Sequence, residues 1–468
     1  MVGIASFGAY IPWWRLGPET KEWGSRAERA AASYDEDSVT MAVAATVNCL
    51  SGLERQSVDA LYFASTTSPY REKQAAATVA AAADLRPSVF TADFSNTTRA
   101  GTIALKAALD AVKSGSMKKV LVVAADTRPA MARSDFEAAF GDSAAALLIA
   151  DSGAVVTVED SLFLSDEMLD VWRADKEAYA RSWEDRFVAD EGYTRVLLEA
   201  VSGLAKRAKL DPKELSKAVL YAPDARRHAE MVRRLGLETK QVADPLFSAM
   251  GNSGAAYALT VLVSTLEEAR EGDRILLADY GNGADVFLLR VGPGVEKARR
   301  ERTVKALLGS KKGLDSYEIY ARWRGLIDPA PPVRRPPLQG PSVTAFWRER
   351  DQNIRLYGAR CQNCGYEQYP PQRVCTRCHT KDRFQPVRFA DKKGHIFTYS
   401  MDYLGATVQP PLVIAVVNFE GGGRILTQMT DRDPSQLRVG LPVEMTFRKL
   451  FSADGVHNYY WKSMPVRV

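Results

Sequence analysis

The chain has 468 residues, with 62 Lys and Arg against 57 Asp and Glu, and is 46% hydrophobic and 25% charged. That composition rules out a disordered chain and leaves room for two to four domains at roughly 100–200 residues each. A formal charge of +5 suits a protein that handles an anionic small molecule, and no helix-turn-helix or RNA-reader signature accompanies it. No run approaches about 18 consecutive apolar residues, and the opening MVGIASFGAYIPWW lacks a signal peptide's charged head and cleavage site. A cytoplasmic protein that binds neither membrane nor nucleic acid is expected.

From the N-terminus onward the sequence repeats itself. DALYFAS (59–65) is echoed by KAVLYAP (217–223), an offset of 158. The segment NTTRAGTIALKAALDAVKSGSMKKVLVVAAD (96–126) is echoed by NSGAAYALTVLVSTLEEAREGDRILLADY (252–280), an offset of about 155. Each unit reads strand, connection, polar turn, apolar helix, Gly-containing turn and buried strand. The helices are Ala-rich and apolar most of the way round, as core helices between layers are. Two such halves around a pseudo-twofold predict a five-layer αβαβα arrangement, with halves at 1–155 and 156–327.

Several polar residues along this region invite a reading. Cys49, in DSVTMAVAATVNCL, lies between Val47 and Leu50 and reads as a small core hydrophobe. His228, in DARRHAEMVRRLG, reads as a surface or cap histidine, with a pocket role as the other reading. Asp224 caps the basic helix that follows or acts as a base. Asp142 and Ser143, in FGDSAAALL, fall in a turn before a buried strand, where a backbone role is favoured.

The clearest boundary is DPAPPVRRPPLQGP (328–341), with six prolines between Pro329 and Pro341. Proline this dense blocks helix and sheet pairing and favours an extended spacer. After it come a short amphipathic segment, SVTAFWRERDQ, and the pattern C-x2-C-x10-C-x2-C at Cys361, Cys364, Cys375 and Cys378. Each CxxC turn offers two thiolates, and two turns complete a closed tetrahedral S4 site, so a structural Zn2+ is expected. The runs HIFTYSMDYL, LVIAVVNFE, GRILTQMT and VEMTFRKLF then read as short strands of a small barrel. A rubredoxin-like zinc ribbon at 342–385 followed by an OB-type barrel at 386–468 is the expected organisation.

The first region resembles the thiolase superfamily, specifically its hydroxymethylglutaryl-CoA synthase branch. The residues that carry the resemblance are GAYIPWWRL (8–16), YDEDSVTMAVAA (34–45), TSPY (67–70), AAFGDSAAALLI (138–149), DVWR (170–173), MGNSGAA (250–256), GDRILLADYGNGADVFLL (272–289) and SYEIYARWRG (316–325). The last region, through RCQNCGYEQYPPQRVCTRC and HIFTYS, resembles the zinc-ribbon/OB-fold proteins that partner thiolases and acyl-CoA aldolases, here fused in one chain.

The family's chemistry is where the resemblance breaks. It implies a cysteine nucleophile at the start of the first buried helix, a histidine, an asparagine and a glutamate. Set against those motifs, Thr98 stands at the nucleophile, Tyr221 at the histidine, and Thr66 or Thr67 at the glutamate; Asn252 alone is retained. Thr98 is a helix N-cap or a pocket hydroxyl, and Tyr221 is a core aromatic or an oxyanion donor. The seven Lys and Arg between Lys297 and Lys312 read as a solvated helix face, so no residue is assigned to the phosphates of coenzyme A.

The resemblance and the missing thiol together lead to an acyl-CoA-processing enzyme that makes or breaks a C–C bond next to a thioester, of aldol or retro-aldol type, with Tyr221, Asn252 and Thr98 as the candidate residues. A non-catalytic acyl-CoA-binding scaffold and a divergent acyltransferase are the alternatives. A homodimer is expected, with a thiolase or hydratase subunit as a further possible partner.

Overall fold

The computed structural model describes residues 1–327, 338–405 and 407–467, so most of the proline-rich stretch, 328–337, lies outside the described residues. The chain separates into two units, Met1–Ala32 with Asp37–Leu326, and Ser33–Glu36 with Ile327–Val468.

The first unit is built on nine strands: β1 (Gly3–Tyr10), β2 (Ala60–Ala64), β3 (Phe90–Phe94), β4 (Lys119–Thr127), β5 (Asp142–Ala150), β6 (Val156–Ser165), β7 (Lys217–Leu220), β8 (Arg274–Tyr280) and β9 (Gly283–Val291). Their order is β7-β8-β9-β6-β1-β5-β4-β2-β3. The sheet consists of two half-sheets joined where β1 and β6 pair over only two positions, Gly3 with Thr157 and Ile4 with Val156. The sequence repeat maps onto this directly. In each half a strand (β2 or β7) lies parallel to the next central strand (β4 or β8), which then pairs antiparallel with its successor.

The unit's main helices are α1 (Ser38–Cys49), α2 (Ala75–Ala82), α3 (Ala100–Lys113), α4 (Arg195–Ala208), α5 (Ala225–Arg234) and α6 (Tyr257–Glu268). Helix α1 starts at a capping box in which Asp37 accepts from the Thr40 amide, and only Ala44 and Val47 on it are not buried. Helices α3 and α6, the two copies of the repeat, share one apolar core with both half-sheets. Strands such as β5 are buried at every residue, as they must be when both faces are covered.

The structure refines the reading of several polar residues. Cys49 is fully buried, its thiol 3.7 Å from Ser6 Oγ, and burial pushes its pKa up to about 11. Asp224 caps α5, accepting from the Arg227 amide at 2.9 Å. His228 is 6% exposed and packs edge-on against Phe247, so it is neither a surface nor a cap residue. Asp142 and Ser143 do more than shape a turn. Asp142 Oδ2 accepts from the Ala32 amide and from Arg324 at 2.6 Å each, and Ser143 Oγ lies 2.6 Å from Ser253 Oγ. Both are the first residues of β5, where a buried side chain needs a partner of its own.

The second unit opens with α7 (Val343–Asn353), which buries none of its residues. Strands β10 (Tyr357–Cys361) and β11 (Phe384–Arg388) pair antiparallel and carry the cysteine loops. Five further strands follow, β12 (Gly394–Asp402), β13 (Leu412–Phe419), β14 (Arg424–Gln428), β15 (Pro442–Ala453) and β16 (Val456–Pro465), in the order β14-β13-β12-β15-β16. A parallel bridge between Met429 and Ser463 brings the two edges together, which removes the exposed strand edges of an open sheet. This unit also includes Ser33–Glu36, whose carboxylates enter a buried charge cluster. Arg448, 1% exposed, lies 2.5 Å from Glu36, 3.5 Å from Asp35 and 2.6 Å from Asp431, while Lys462 lies 2.8 Å from Asp35.

Candidate active site and zinc-ribbon centre

Strands β4, β7 and β8 end on one side of the first unit, and their last residues meet the turn before α3 and the loop before α6. Tyr221 follows β7, donates its amide to Ala278 O of β8, and is 5% exposed. Asn252 is fully buried on the loop before α6. Its Nδ2 donates to Ala222 O at 3.0 Å and its Oδ1 accepts from the Gly254 amide at 2.9 Å. The side chain is thereby fixed beside Tyr221 rather than left to rotate.

Thr98 lies two residues before α3, whose N-cap is Arg99 and has no side-chain cap bond. The N-cap reading of Thr98 therefore fails. Its hydroxyl donates instead to Tyr280 O at 2.8 Å, while Thr97 donates to Gly281 O at 2.9 Å. The two threonines tie the start of α3 to the turn between β8 and β9. A glycine is required in that turn: a Cβ at Gly281 would stand 2.4 Å from Thr98 Oγ1 and 2.6 Å from Thr97 Oγ1.

The residue at the centre of the cluster is one that sequence reasoning missed. Arg128, just past β4, is 7% exposed. Its guanidinium stacks on the face of Phe140 at 3.6 Å, and Nη1 lies 3.5 Å from Asn252 Oδ1. Burial lowers its pKa, opposed by the charge fields of Tyr221, Asp126 and Asp170. Tyr221 is the reciprocal case: burial raises the phenol above its usual value, and Arg128 and Asn252 only partly offset this. A phenol raised in this way stays protonated at neutral pH, so it serves as a hydrogen-bond donor rather than as a base.

Asp126, fully buried at the end of β4, accepts from Ser65 Oγ, the Thr66 amide and hydroxyl, Thr67 Oγ1 and the Ala255 amide, all within 2.7–2.9 Å. Thr66 and Thr67, which stand where the family resemblance expects a glutamate, are thus committed to holding this carboxylate. Burial raises Asp126, against the pull of those donors. Asp170, of the DVWR motif, is 8% exposed and likewise raised by burial. Tyr193, Tyr221, Tyr257 and Tyr280 form a buried aromatic wall, with ring centroids 5.5–6.4 Å apart in successive pairs. Cys49 belongs to none of this.

In the second unit, the four predicted cysteines converge, their sulfur atoms all within 4.8 Å of one another. The distances Cys361–Cys378 and Cys364–Cys375 are both 3.6 Å. A tetrahedron with Zn–S bonds of about 2.3 Å has S–S edges a little under 4 Å, so the set fits a structural zinc ion with no position left open. Gly365 and His379, both at positive φ, occupy matching places one residue past the second cysteine of each loop.

Comparison with known proteins agrees with this geometry. Residues 92–165 match the model of 3-oxoacyl-[acyl-carrier-protein] synthase III. Residues 348–382 match the ChsH2 rubredoxin-like zinc ribbon domain, and 387–448 match the ChsH2 C-terminal OB-fold domain. Among solved structures, MvaS in complex with 3-hydroxy-3-methylglutaryl coenzyme A superposes with a TM-score of 0.61 at 19% identity, covering 83% of this chain and 99% of that one. The synthase III of Aquifex aeolicus gives 0.55 at 23% identity, covering 62% of this chain and all of that one. These likenesses define a thiolase-type α/β fold. The hydroxymethylglutaryl-CoA synthase of Thermococcus sibiricus is 30% identical over 339 residues, 69% of this chain and 96% of that protein, and that of Thermoplasma acidophilum is 28% identical over 346 residues, 70% and 98% respectively. The chain belongs to the hydroxymethylglutaryl-CoA synthase family, with a zinc ribbon and an OB-fold domain joined to it.

Proposed function

We propose that this protein processes acyl-CoA thioesters by making or breaking a C–C bond next to the thioester, without a covalent acyl-enzyme. The observation that carries this reading is the composition of the cluster: a protonated phenol, a guanidinium and a fixed amide gather there, while Cys49 lies apart from them. Aldol chemistry needs no nucleophile. In the cleavage direction a base takes the β-hydroxyl proton, the Cα–Cβ bond breaks to leave a carbonyl product, and the thioester enolate is protonated at Cα.

In this reading Tyr221 donates to the thioester oxygen as it gains charge, and Asn252 sets the placement of Tyr221 and Arg128. Asp170 takes the hydroxyl proton and returns it. Thr98 acts indirectly, by holding the Tyr280–Gly281 turn. The pull of Arg128 and Tyr221 on a developing oxyanion is strongest in a site that excludes water. A homodimer through the free edge of β3 and division of the first unit near residue 155 belong to the same proposal. Strand β3 is the last in the sheet and Phe90 on it is 53% exposed.

The test is calorimetric titration of zinc-replete protein with CoA and a panel of short, branched and aromatic acyl-CoAs. Binding that discriminates between acyl groups, and is weakened in Tyr221→Phe, supports the reading. Failure of folded protein to bind any thioester would overturn it and leave a scaffold without acyl-CoA.

A further inference from the structure

Beneath the turn at 280–282, two carboxyls share one hydroxyl. Asp279 of β8 and Asp285 of β9 are cross-strand partners, each 1% exposed. Thr102, fully buried in the first turn of α3, reaches both. Its Oγ1 lies 3.1 Å from Asp279 Oδ2, 2.9 Å from Asp285 Oδ2 and 2.9 Å from the Arg99 carbonyl oxygen. A threonine hydroxyl has one hydrogen and two lone pairs. A carbonyl and two ionised carboxylates can only accept, so with both acids charged one hydrogen would serve three acceptors. At least one contact would then set lone pair against lone pair, with two negative charges facing each other in the core.

A single proton on one carboxyl resolves this, and the surroundings decide which. Arg99 Nη1 pairs with Asp285 Oδ1 at 2.6 Å, which favours the ionised form of that acid. Burial raises Asp285 as well, but there Arg99 opposes it directly. Among the described residues Asp279 has no cation at ion-pair distance. Its Oδ1 accepts from the Tyr280 amide at 3.0 Å, which leaves Oδ2 to carry the hydrogen and donate it to Thr102. Burial, and then the charge of Asp285, raise Asp279 well above the ordinary carboxyl value. The charged and titratable groups facing it are Asp285 on β9, Arg99 at the start of α3, Tyr221 after β7 and Tyr257 on α6. The same Arg99 clamps the turn, with Nε donating to Gly281 O at 2.7 Å and Nη2 to Asn282 O at 3.1 Å.

We infer that Asp279 is held as the neutral acid and is a positioning residue: its proton completes a chain through Thr102, Asp285 and Arg99 that sets the 280–282 turn of the site. The inference rests on the site placed above and makes no assumption about the ligand. An asparagine at 279 would donate to Thr102 from the same place without taking up a proton. The acid therefore carries a pH dependence that the amide lacks.

The test is denaturant titration of the full zinc-replete chain, Asp279→Asn and Asp285→Asn between pH 5 and pH 7. Unfolded aspartate, with a pKa of about 3.9, is ionised there, so a neutral Asp279 takes up one proton on folding. The folding equilibrium constant of the native chain should fall about tenfold per pH unit relative to that of Asp279→Asn. At pH 7 Asp279→Asn should be more stable than the native chain, and Asp285→Asn, which strips Arg99 of its partner, less stable. Parallel pH profiles for the native chain and Asp279→Asn would overturn the shared proton. The reverse order of the two variants at pH 7 would place it on Asp285 and overturn the assignment. The positioning role is read by hydrogen exchange of the Tyr280 and Gly281 amides. Thr102→Val, which keeps the shape and removes the bridge, should speed that exchange about tenfold, the worth of one hydrogen bond, and Thr102→Ser should restore protection. Unchanged exchange in Thr102→Val overturns the positioning role. If the native chain binds no thioester, the acyl-CoA reading falls alone, since none of these readouts uses a ligand.

Discussion

Replacing Arg448 by Met in the second unit isolates one electrostatic question. The side chain is 1% exposed and faces Glu36 at 2.5 Å, Asp35 at 3.5 Å and Asp431 at 2.6 Å, with Nε donating to Thr446. Methionine fills similar space without charge, so the three carboxylates would be left with Lys462, 2.8 Å from Asp35, and the field of Arg432. Removing one partner from a buried pair costs about 3–5 kcal/mol, and three carboxylates on one cation place this variant at the upper end. At 1.4 kcal/mol per decade that is about two to three and a half decades in the opening equilibrium. Native-state hydrogen exchange of the β15 and β16 amides reads it directly. The pH dependence gives a second check. Burial pushes the Asp35 carboxyl up, but Lys462 and then Arg448 outweigh it, so its pKa lies below the ordinary value. A depressed carboxyl contributes stability above its unfolded pKa of about 4 and loses it as pH falls through the folded value. Without Arg448 that carboxyl protonates more easily, so the variant's deficit should shrink between pH 7 and pH 4. A deficit under 1 kcal/mol, or one that does not change with pH, would refute the assignment of this cluster as a stabilising network.

Three further outcomes are expected. Glu267, which accepts from the Val304 amide through both oxygens, is raised by burial to about 7. A raised carboxyl penalises the folded state as pH rises from about 4.5 towards 7, so Glu267→Gln should stabilise the protein by about 1–3 kcal/mol at pH 8 and by nothing near pH 4, measured by denaturant titration. Gly281→Ala must displace Thr97 or Thr98, which would lie 2.6 and 2.4 Å from the new methyl. It should cost about 1–3 kcal/mol of stability and weaken thioester binding in the same titration. Metal analysis should find one zinc per chain, and Cys375→Ser should lose it together with exchange protection in β10 and β11.

How much of this was legible in the sequence depended on what kind of signal each feature leaves. The C-x2-C-x10-C-x2-C spacing fixed the zinc ribbon because metal ligation demands local turns. The repeat revealed the two halves of the first unit because each half must build the same strand–helix–strand core. Thr98, Tyr221 and Asn252 came from motif positions, and the structure does bring Tyr221 and Asn252 together. It ties Thr98 to them only through Tyr280. Arg128 was missed because DTRPAMAR looks like an ordinary loop after a strand, where arginine is usually solvated. The repeat held the clue. An offset of about 155 places residues 126–128 opposite the turn at 281–283, on the side where the site forms. Lys462 and Arg448 were invisible for another reason: a barrel strand with a buried cation looks like an alternating strand in the wrong register.

The loss of cysteine, histidine and glutamate together looks equally like decay of a site and like a change of reaction, and energetics separates the two. A fold that no longer bound anything at this place would be relieved by an apolar side chain at 128, because burying a guanidinium costs several kcal/mol before any contact repays it. The surroundings repay it only in part, through the stack on Phe140. Asp126 is saturated by five other donors, and Asn252 reaches Nη1 only at 3.5 Å. The remaining groups are nonetheless held in one arrangement: Asn252 by two hydrogen bonds, and the turn at 280–281 by both threonines. A cation inside a rigid frame of satisfied groups is the condition for tight oxyanion binding. Under the proposed function a fixed positive charge and a protonated phenol stabilise a developing oxyanion, and no nucleophilic thiolate is required. The first consequence to measure is that thioester binding should not vary across the pH range where histidine titrates.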